Sequence, residues 1–196
     1  MKRNGRDRHL RCVEIGLGVP LTIGADLVAR ARGGDADAFA SIVDAHHADL
    51  VRVAYAVCGD AEMAREAAQT TWIKVWQRLG GLREPDKLRP WLISIASNEA
   101  RQAVRSRRRR RVREVLALDP EVAADGPTVA APTVDRTDLI EALERLDPDD
   151  RALIAMRYLA GLGSDEIAEA TGRSPGGVRA RLSRLMTRLR EDLGDD

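Results

Sequence analysis

Cysteine and histidine are both rare in this sequence, which limits the chemistry that its side chains can support. Its 196 residues include only two cysteines, Cys12 and Cys58, and three histidines. No C-x-x-C pair and no histidine cluster is present to complete a zinc site. Two isolated thiols are consistent with a reducing cytoplasm, where we expect the protein to reside. We predict that the protein binds no metal ion and no cofactor.

Strand-like clusters of β-branched residues are scarce, as are glycine (16 residues) and proline (8 residues), whereas Ala, Leu, Arg and Glu dominate. This composition favours an all-α fold. No apolar segment approaches the ~20 residues that a membrane-spanning helix requires, so we predict no membrane insertion. A chain of this length suits one or two small domains, each able to bury its own core.

The N-terminal residues resemble a secretory signal peptide only in part. Several basic residues precede a partly apolar run, as they do in signal peptides. Glu14 lies within that run, and Gly16 and Pro20 interrupt it, which argues against secretion. We therefore expect residues 1–25 to form a disordered leader, or to reflect a start site placed too far upstream.

Charge is balanced over the whole chain but not along it. The 32 basic and 31 acidic side chains leave a net charge of +1, which indicates no particular partner. Between Arg101 and Arg113, however, there are eight arginines and no acidic residue, and residues 107–111 are five arginines in succession. Such a run is either solvated or paired with an acidic partner, and nucleic acid is the partner we favour.

Four helices are predicted before this run, and the third and fourth carry the most information. The third, residues 61–79, places Ala64 and Trp72 on its inner face and Ile73 among polar residues on its outer face. The isoleucine indicates a docking surface, although a single exposed apolar residue is also normal. The fourth helix is predicted from about residue 87 to residue 105.

A flexible linker is predicted over residues 114–137, because the composition changes there to Ala, Pro, Val and Asp. It divides the chain into a first helical domain, residues 26–113, and a second, residues 138–196. In the second domain, apolar side chains at helical spacing predict two helices before the final hairpin. Those side chains are Leu139, Ile140, Leu143 and Leu146, then Leu153, Ile154, Met156, Tyr158 and Leu159.

Residues 164–193 have the pattern of a helix-turn-helix. Ser164 is suited to N-cap a first helix, which Gly172 would end in the left-handed conformation. Ser174 is suited to cap a second helix, with Pro175 at its first position. An apolar stripe then recurs at helical spacing, at Val178, Leu182, Leu185, Met186, Leu189 and Leu193. With arginines around this stripe, the second helix is predicted to enter a DNA major groove; a solvated basic hairpin is the alternative.

Several motifs resemble those of bacterial RNA polymerase sigma factors. A-Y-x-x-C-G-D at residues 54–60, Q-T-T-W-x-K-V-W at residues 69–76 and R-P-W-L-x-x-I-A-x-N at residues 89–98 resemble the second conserved region of that family. L-D-P-D-D-R at residues 146–151 and the helix-turn-helix that follows resemble the fourth region. Because only a linker separates the two, the chain is similar to the extracytoplasmic-function (ECF) group, which lacks the third region.

The resemblance implies that the chain directs core RNA polymerase to promoter DNA. The third helix would contact the clamp helices of the polymerase largest subunit through Glu62, Glu66, Gln69, Thr70 and Ile73. The fourth helix would contact the minus-ten promoter element through Asn98, Arg101, Gln102 and Arg105. The last helix would contact the minus-thirty-five element through Ser174, Gly177, Arg179, Arg181 and Arg184. The fourth region would also contact the flap of the second-largest subunit, and an anti-sigma factor is an expected partner.

Two positions depart from the family's pattern. Thr70 stands where the family usually has an acidic residue after the glutamine, and Gln102 stands where it often has aspartate. Both positions belong to the contact surfaces that the resemblance implies.

Two other functions fit part of the sequence. A stand-alone helix-turn-helix regulator explains the C-terminal half but gives the tryptophan-bearing helices and the arginine run no role. An enzyme or metal site is suggested by the adjacent His46 and His47 and by Glu62 and Glu66 one turn apart. Neighbouring residues on a helix diverge by about 100°, so the two histidines do not readily share one ion. No nucleophile–base arrangement or phosphate-binding loop is present, and we predict no enzymatic activity.

Overall fold

The computed structural model describes residues 24–117 and 134–193, and all regular secondary structure in these ranges is helical, as the composition predicted. The predicted leader before residue 24 and the middle of the predicted linker lie outside the described residues. The α-helices are α1 (Ala25–Arg32), α2 (Ala36–Cys58), α3 (Ala61–Arg78), α4 (Leu88–Ala117), α5 (Val134–Glu144), α6 (Pro148–Ile154), α7 (Ser164–Thr171) and α8 (Pro175–Leu193).

Aspartate side chains cap α2 and α3, two of the helices that form the core. Asp35 caps α2: its Oδ1 accepts hydrogen bonds from the backbone N–H groups of Asp37 and Ala38, both at 3.0 Å. Asp60 caps α3 in the same way. Gly59, which directly precedes Asp60, ends α2 with a φ of +70°, a conformation that favours glycine. The sharp corner between α2 and α3 thus follows from two consecutive residues.

Helices α2, α3 and α4 pack together as the N-terminal module, residues 24–117, with α1 against α2. Each contributes one apolar stripe, and the largest fully buried side chains include Ile42, Leu50, Val75, Leu92 and Ile93. Phe39 meets Trp72 and Trp76 edge-on, with ring centroids 5.9 Å and 4.8 Å apart. The indole N–H of Trp72 donates to Nδ1 of His47 at 3.1 Å, so this buried polar group is satisfied.

His46 is buried in this core, and burial lowers the pKa of its imidazole; of the charged groups nearby, Arg89 lowers the pKa further and Asp49 raises it. A pKa below the unfolded value of about 6.5 means that the stability contributed by neutral His46 is present above that pH and is lost as the pH falls through the folded pKa. We expect the Tm to fall more between about pH 7.5 and about pH 5.5 for the wild-type protein than for His46→Gln. Thermal denaturation followed by circular dichroism gives the Tm of each protein at each pH. An equal fall in Tm for the wild-type protein and His46→Gln would contradict the prediction.

Helix α4 is longer than the sequence pattern indicated. It was predicted to end near residue 105, but it continues through the five arginines to Ala117. Likewise α5 begins at Val134, so helix occupies both ends of the segment predicted as linker, residues 114–117 and 134–137. Arginine is a good helix former, so a helix can continue through a run that lacks apolar periodicity.

The C-terminal module, residues 134–193, consists of α5 to α8, with Ala155–Leu159 forming a π-helical turn after α6. Of the apolar side chains that predicted α5, Leu139 and Ile140 are 42% and 37% exposed, whereas Leu143 and Leu146 pack with Ala142 in a small cluster with α8. One prediction within the module was wrong. Ser164 is not the N-cap of α7 but its first residue; the cap is Gly163, whose N–H donates to the Glu166 carboxylate at 2.6 Å.

The two modules pack against each other. Helices α6 and α7 and the π-helical turn contact α2 and α4, and one continuous cluster of buried side chains runs from Val28 in α1 to Leu182 in α8. Polar contacts border this joint: Arg89 donates to the backbone carbonyl of Ala160 at 2.6 Å, and Lys87 lies 3.4 Å from the Glu169 carboxylate. The two modules thus share one cluster of buried side chains, and a second, smaller cluster lies between α5 and α8.

Candidate nucleic-acid and polymerase interfaces

The corner between α7 and α8 has the geometry of a helix-turn-helix. Gly172 ends α7 with a φ of +66°, and its N–H bonds to the carbonyl of Ala168. Ser174 caps α8 as predicted: its hydroxyl accepts a hydrogen bond from the N–H of Gly177 at 3.1 Å. A Cβ on Gly177 would lie 3.0 Å from that hydroxyl, so glycine lets the cap form without a clash. The structure thus gives Gly177 and Ser174 a local structural role.

The arginines of α8 occupy two different environments. Arg179 and Arg184 are exposed on the helix surface. Arg181 instead binds within the protein: its Nε and Nη2 donate to the two oxygens of Asp150 at 2.7 Å and 2.5 Å. Asp150 is only 4% exposed, and its hydrogen bond and charge raise the pKa of the Arg181 guanidinium. Arg181 therefore ties α8 to α6, while the side chains of Arg179 and Arg184 are exposed to solvent.

The predicted minus-ten residues lie together on α4, next to the C-terminal module. Arg101 Nη1 donates to Asp149 at 2.9 Å, and Arg105 Nη2 donates to both oxygens of the same carboxylate at 2.9 Å and 2.7 Å. Arg101 also donates to Oδ1 of Asn98, whereas Gln102 is exposed. Burial acts to raise the pKa of Asp149, but the hydrogen bonds and charges of the two arginines outweigh it and hold that pKa below its usual value.

The arginine run projects from the same helix. Arg107 donates to the Asp60 carboxylate at 2.9 Å and so links α4 to the start of α3. The four arginines that follow, residues 108–111, are exposed, and they surround the helix because successive side chains are separated by about 100°. Exposed positive charge therefore covers the C-terminal part of α4 on all sides, beyond Arg105.

The predicted polymerase-binding residues form one stripe along α3. Glu62, Glu66, Gln69 and Ile73 are exposed, and Thr70 is half-buried. Ile73 is 54% exposed, and Trp76, one turn further along, is 47% exposed. Trp76 was not among the residues predicted for this surface, although an aromatic residue three positions after Ile73 was a signal for it. Two large apolar side chains side by side on an otherwise charged helix are typical of a protein-binding surface.

The histidines and carboxylates considered as a possible metal site do not come together. His46 is buried and His47 is exposed, and their side chains diverge as adjacent helical residues must. Within residues 24–117 and 134–193, no group of three His, Cys, Asp or Glu side chains is placed to hold a metal ion. In the same ranges no helix is both long enough and apolar enough to cross a bilayer.

Both modules match known protein families. Residues 42–110 match the family described as Sigma-70 region 2, and residues 136–189 match Sigma-70, region 4. The RNA polymerase sigma factor CarQ of Myxococcus xanthus is 32% identical over 167 residues, which cover 85% of this chain and 95% of CarQ. The ECF RNA polymerase sigma factor SigL of Mycobacterium tuberculosis is 30% identical over 83% of this chain and 93% of its own length.

A third relative is longer than this chain. The probable RNA polymerase sigma factor RfaY of Xanthomonas campestris is 32% identical, but the match spans only 42% of its length. Among solved structures, the fold is similar to that of the sigma factor RpoE of Bartonella quintana, which was solved in complex with the anti-sigma factor NepR. The TM-score is 0.64 at 26% sequence identity, and the match covers 81% of this chain and 98% of RpoE. CnrH, in complex with the cytosolic domain of CnrY, has the same fold, with a TM-score of 0.63 over 87% of this chain and 97% of CnrH.

The order of the two matched regions, the identity to full-length relatives and the helical fold all agree. The chain belongs to the extracytoplasmic-function group of the bacterial RNA polymerase sigma factors, the initiation factors that direct core polymerase to specific promoters.

Proposed function

We propose that this sigma factor divides its work between its two modules. The N-terminal domain, residues 26–113, binds core polymerase and the minus-ten element, and the C-terminal domain, residues 138–196, binds the minus-thirty-five element. The observation that carries this proposal is that three different surfaces lie on different helices. Ile73 and Trp76 are exposed on α3, arginines cover α4, and α7 and α8 form a helix-turn-helix. Each surface suits one of the three partners that a sigma factor must contact.

The stripe on α3 is proposed to bind the clamp helices of the polymerase largest subunit. Ile73 and Trp76 offer apolar area that is desolvated on docking, and Glu62, Glu66 and Gln69 continue the surface with polar groups toward the start of α3. Protein interfaces combine apolar and polar contacts, and a few side chains carry most of the binding energy. Thr70 lies at the edge of this surface because it is half-buried.

The surface on α4 is proposed to bind the minus-ten element. Arg101 and Arg105 supply guanidinium donors suited to phosphate, while Asn98 and Gln102 supply amides that can hydrogen-bond to bases. The exposed arginines at residues 108–111 extend this positive surface along the helix. Most contacts between proteins and DNA go to the phosphate backbone, so a long cationic helix beside amide side chains suits this role.

Helix α8 is proposed to read the minus-thirty-five element. The first turns of the second helix of a helix-turn-helix face the base edges, and Arg179 is exposed there. Arg184, one to two turns later, is placed for phosphate. Ser174 and Gly177 fix the start of the helix, and Arg181 holds it against α6 from the flank of the DNA-facing surface. The same module is proposed to contact the flap of the second-largest polymerase subunit.

An anti-sigma factor is a further proposed partner, because the related sigma factor RpoE was solved bound to one. We also propose that the protein acts in the cytoplasm, where core polymerase and promoter DNA are found, and that it has no catalytic activity of its own. Binding of an anti-sigma factor would then control the activity of this protein by limiting its access to core polymerase.

Complex formation with core polymerase distinguishes this function from that of a stand-alone regulator. The purified chain, mixed with core polymerase and separated by gel filtration, should elute with the polymerase at one copy per enzyme. A stand-alone helix-turn-helix regulator would elute separately, as its own monomer or dimer. Separate elution at every salt concentration tested would reject the sigma-factor proposal.

A further inference from the structure

A cleft lies between the start of α3 and the C-terminal part of α4. The residues that line it are Asp60, Glu62, Met63 and Glu66 on one side and Ala103, Ser106, Arg107 and Arg110 on the other. The two glutamates and the two arginines are exposed, so this α3–α4 cleft is open to solvent and accessible to a partner.

The two arginines of the cleft differ in their contacts. Arg107 donates to the Asp60 carboxylate at 2.9 Å. The backbone N–H of Met63 and the Arg107 guanidinium lower the pKa of Asp60 more than burial raises it, so the pair is ionised at neutral pH. Arg110 lies one turn further along α4, and it takes part in no ion pair within residues 24–117 and 134–193. The charge of Arg110 is therefore the one that an acidic group of a partner can neutralise.

The charges around Arg110 suit a protein better than DNA. Three carboxylates, those of Asp60, Glu62 and Glu66, line the same cleft. Duplex DNA carries about one negative charge per 1.7 Å of its axis, so a phosphate that reaches Arg110 brings further phosphates close to these carboxylates. A protein surface avoids this repulsion, because it can place an acidic side chain opposite Arg110 and basic or neutral side chains opposite the glutamates.

Helical geometry turns other arginines of the run away from the cleft. Successive residues of a helix are separated by about 100°, so Arg107 and Arg110 lie within about 60° of each other. Arg108 lies about 160° from Arg110 on the same scale. Of the five arginines at residues 107–111, only Arg107 and Arg110 line the cleft. The run therefore presents one side to α3 and its remaining sides to solvent.

The cleft is continuous with the surface proposed to bind the clamp helices of polymerase. Glu62 and Glu66 belong to the exposed stripe of α3, and they also line the cleft. A partner that covers these two glutamates therefore comes within reach of Arg110.

We propose that Arg110 is a polymerase-binding residue, and that the α3–α4 cleft extends the docking surface for core polymerase from α3 onto α4. This inference rests on the polymerase-binding role proposed above for α3. The matching group on polymerase is an acidic side chain of the segment that docks on α3, since a carboxylate forms charge-assisted hydrogen bonds with a guanidinium. Arg108, on the far side of the helix, serves nucleic acid. The arginine run is thus shared between two partners.

Arg110→Glu and Arg108→Glu test this division as a matched pair, because each reverses one exposed charge on the same helix. The full chain carrying either substitution is titrated against fluorescently labelled core polymerase. We expect Arg110→Glu to bind about tenfold more weakly than the wild-type protein, because an ion pair becomes a contact between like charges. Arg108→Glu should bind within about twofold of the wild-type protein. If circular dichroism shows Arg110→Glu to be unfolded, Arg110→Ala takes its place, with an expected loss of about threefold.

The same proteins, without polymerase, are titrated into fluorescent single-stranded DNA of mixed sequence, where the order of the two variants should reverse. We expect Arg108→Glu to lose about fivefold in affinity for DNA and Arg110→Glu to lose about twofold at most. Unchanged binding of polymerase by the folded Arg110 variant, or an equal loss for Arg108→Glu, would overturn the inference. A larger loss of DNA binding for Arg110→Glu than for Arg108→Glu would also overturn it and would assign the cleft to nucleic acid. These outcomes require a wild-type chain that binds core polymerase; failure of that chain to bind would reject the sigma-factor function and this inference with it.

Discussion

Ile73→Glu is expected to weaken binding to core polymerase by about thirtyfold or more, without unfolding the protein. Ile73 is 54% exposed and lies one turn before Trp76, and these two side chains form the apolar part of the α3 stripe. A central apolar side chain of an interface typically contributes about 2 kcal/mol or more, and a buried carboxylate without a partner adds a further desolvation penalty. The affinity for fluorescently labelled core polymerase, measured by titration, gives the change directly.

Arg78→Glu is the matched control for this substitution. Arg78 is also exposed on α3, but five residues separate it from Ile73, so its side chain points about 140° away around the helix. The control changes the charge by two units, whereas Ile73→Glu changes it by one. If both variants lost affinity equally, the loss would reflect overall charge, and Ile73 would not belong to the docking surface.

Arg181→Ala and Arg179→Ala are expected to damage different properties, although both arginines were predicted from sequence to contact DNA. Removing Arg181 leaves the buried Asp150 carboxylate without its two best donors, which should lower the free energy of unfolding by about 1–3 kcal/mol. Removing the exposed Arg179 should leave the Tm unchanged. It should instead reduce discrimination of the minus-thirty-five element by about 1–3 kcal/mol, the range for a bidentate arginine–guanine contact.

Thermal denaturation and promoter binding by the holoenzyme separate the two effects. Adding Asp150→Asn to the Arg181→Ala protein should restore part of the lost stability, because a neutral amide costs less to bury than an unpaired carboxylate. An equal fall in Tm for Arg179→Ala and Arg181→Ala would contradict the division of roles, as would an unchanged Tm for Arg181→Ala.

Local sequence signals predicted most of the helices and their ends. Gly172 was expected to end α7 and does so with positive φ, and Ser174 was expected to cap α8 and does so. These features depend on a few neighbouring residues and on one backbone preference each, so a single sequence suffices to read them. The exposure of Ile73 on the outer face of α3 was also predicted from sequence, because the residues around it on that face are polar.

Features that depend on the contact between distant segments could not be predicted in the same way. Asp149 and Asp150 lie in the first turn of α6, where acidic residues are common because they favour the helix dipole. Their pairing with Arg101, Arg105 and Arg181 appears only when α4, α6 and α8 are brought together. The exposure of Leu139 and Ile140 has a similar origin, since the sequence shows an apolar stripe but not which part of it the fold covers.

Run-off transcription with purified core polymerase is the most direct test of the central claim, that both modules act together to select promoters. With fragments of the source genome as templates, adding the chain should produce transcripts from a defined set of start sites that core polymerase alone does not use. Those start sites should share sequence at two elements about 25 base pairs apart, which correspond to the two modules. Transcripts that do not depend on the chain, or start sites without two shared elements, would contradict the account.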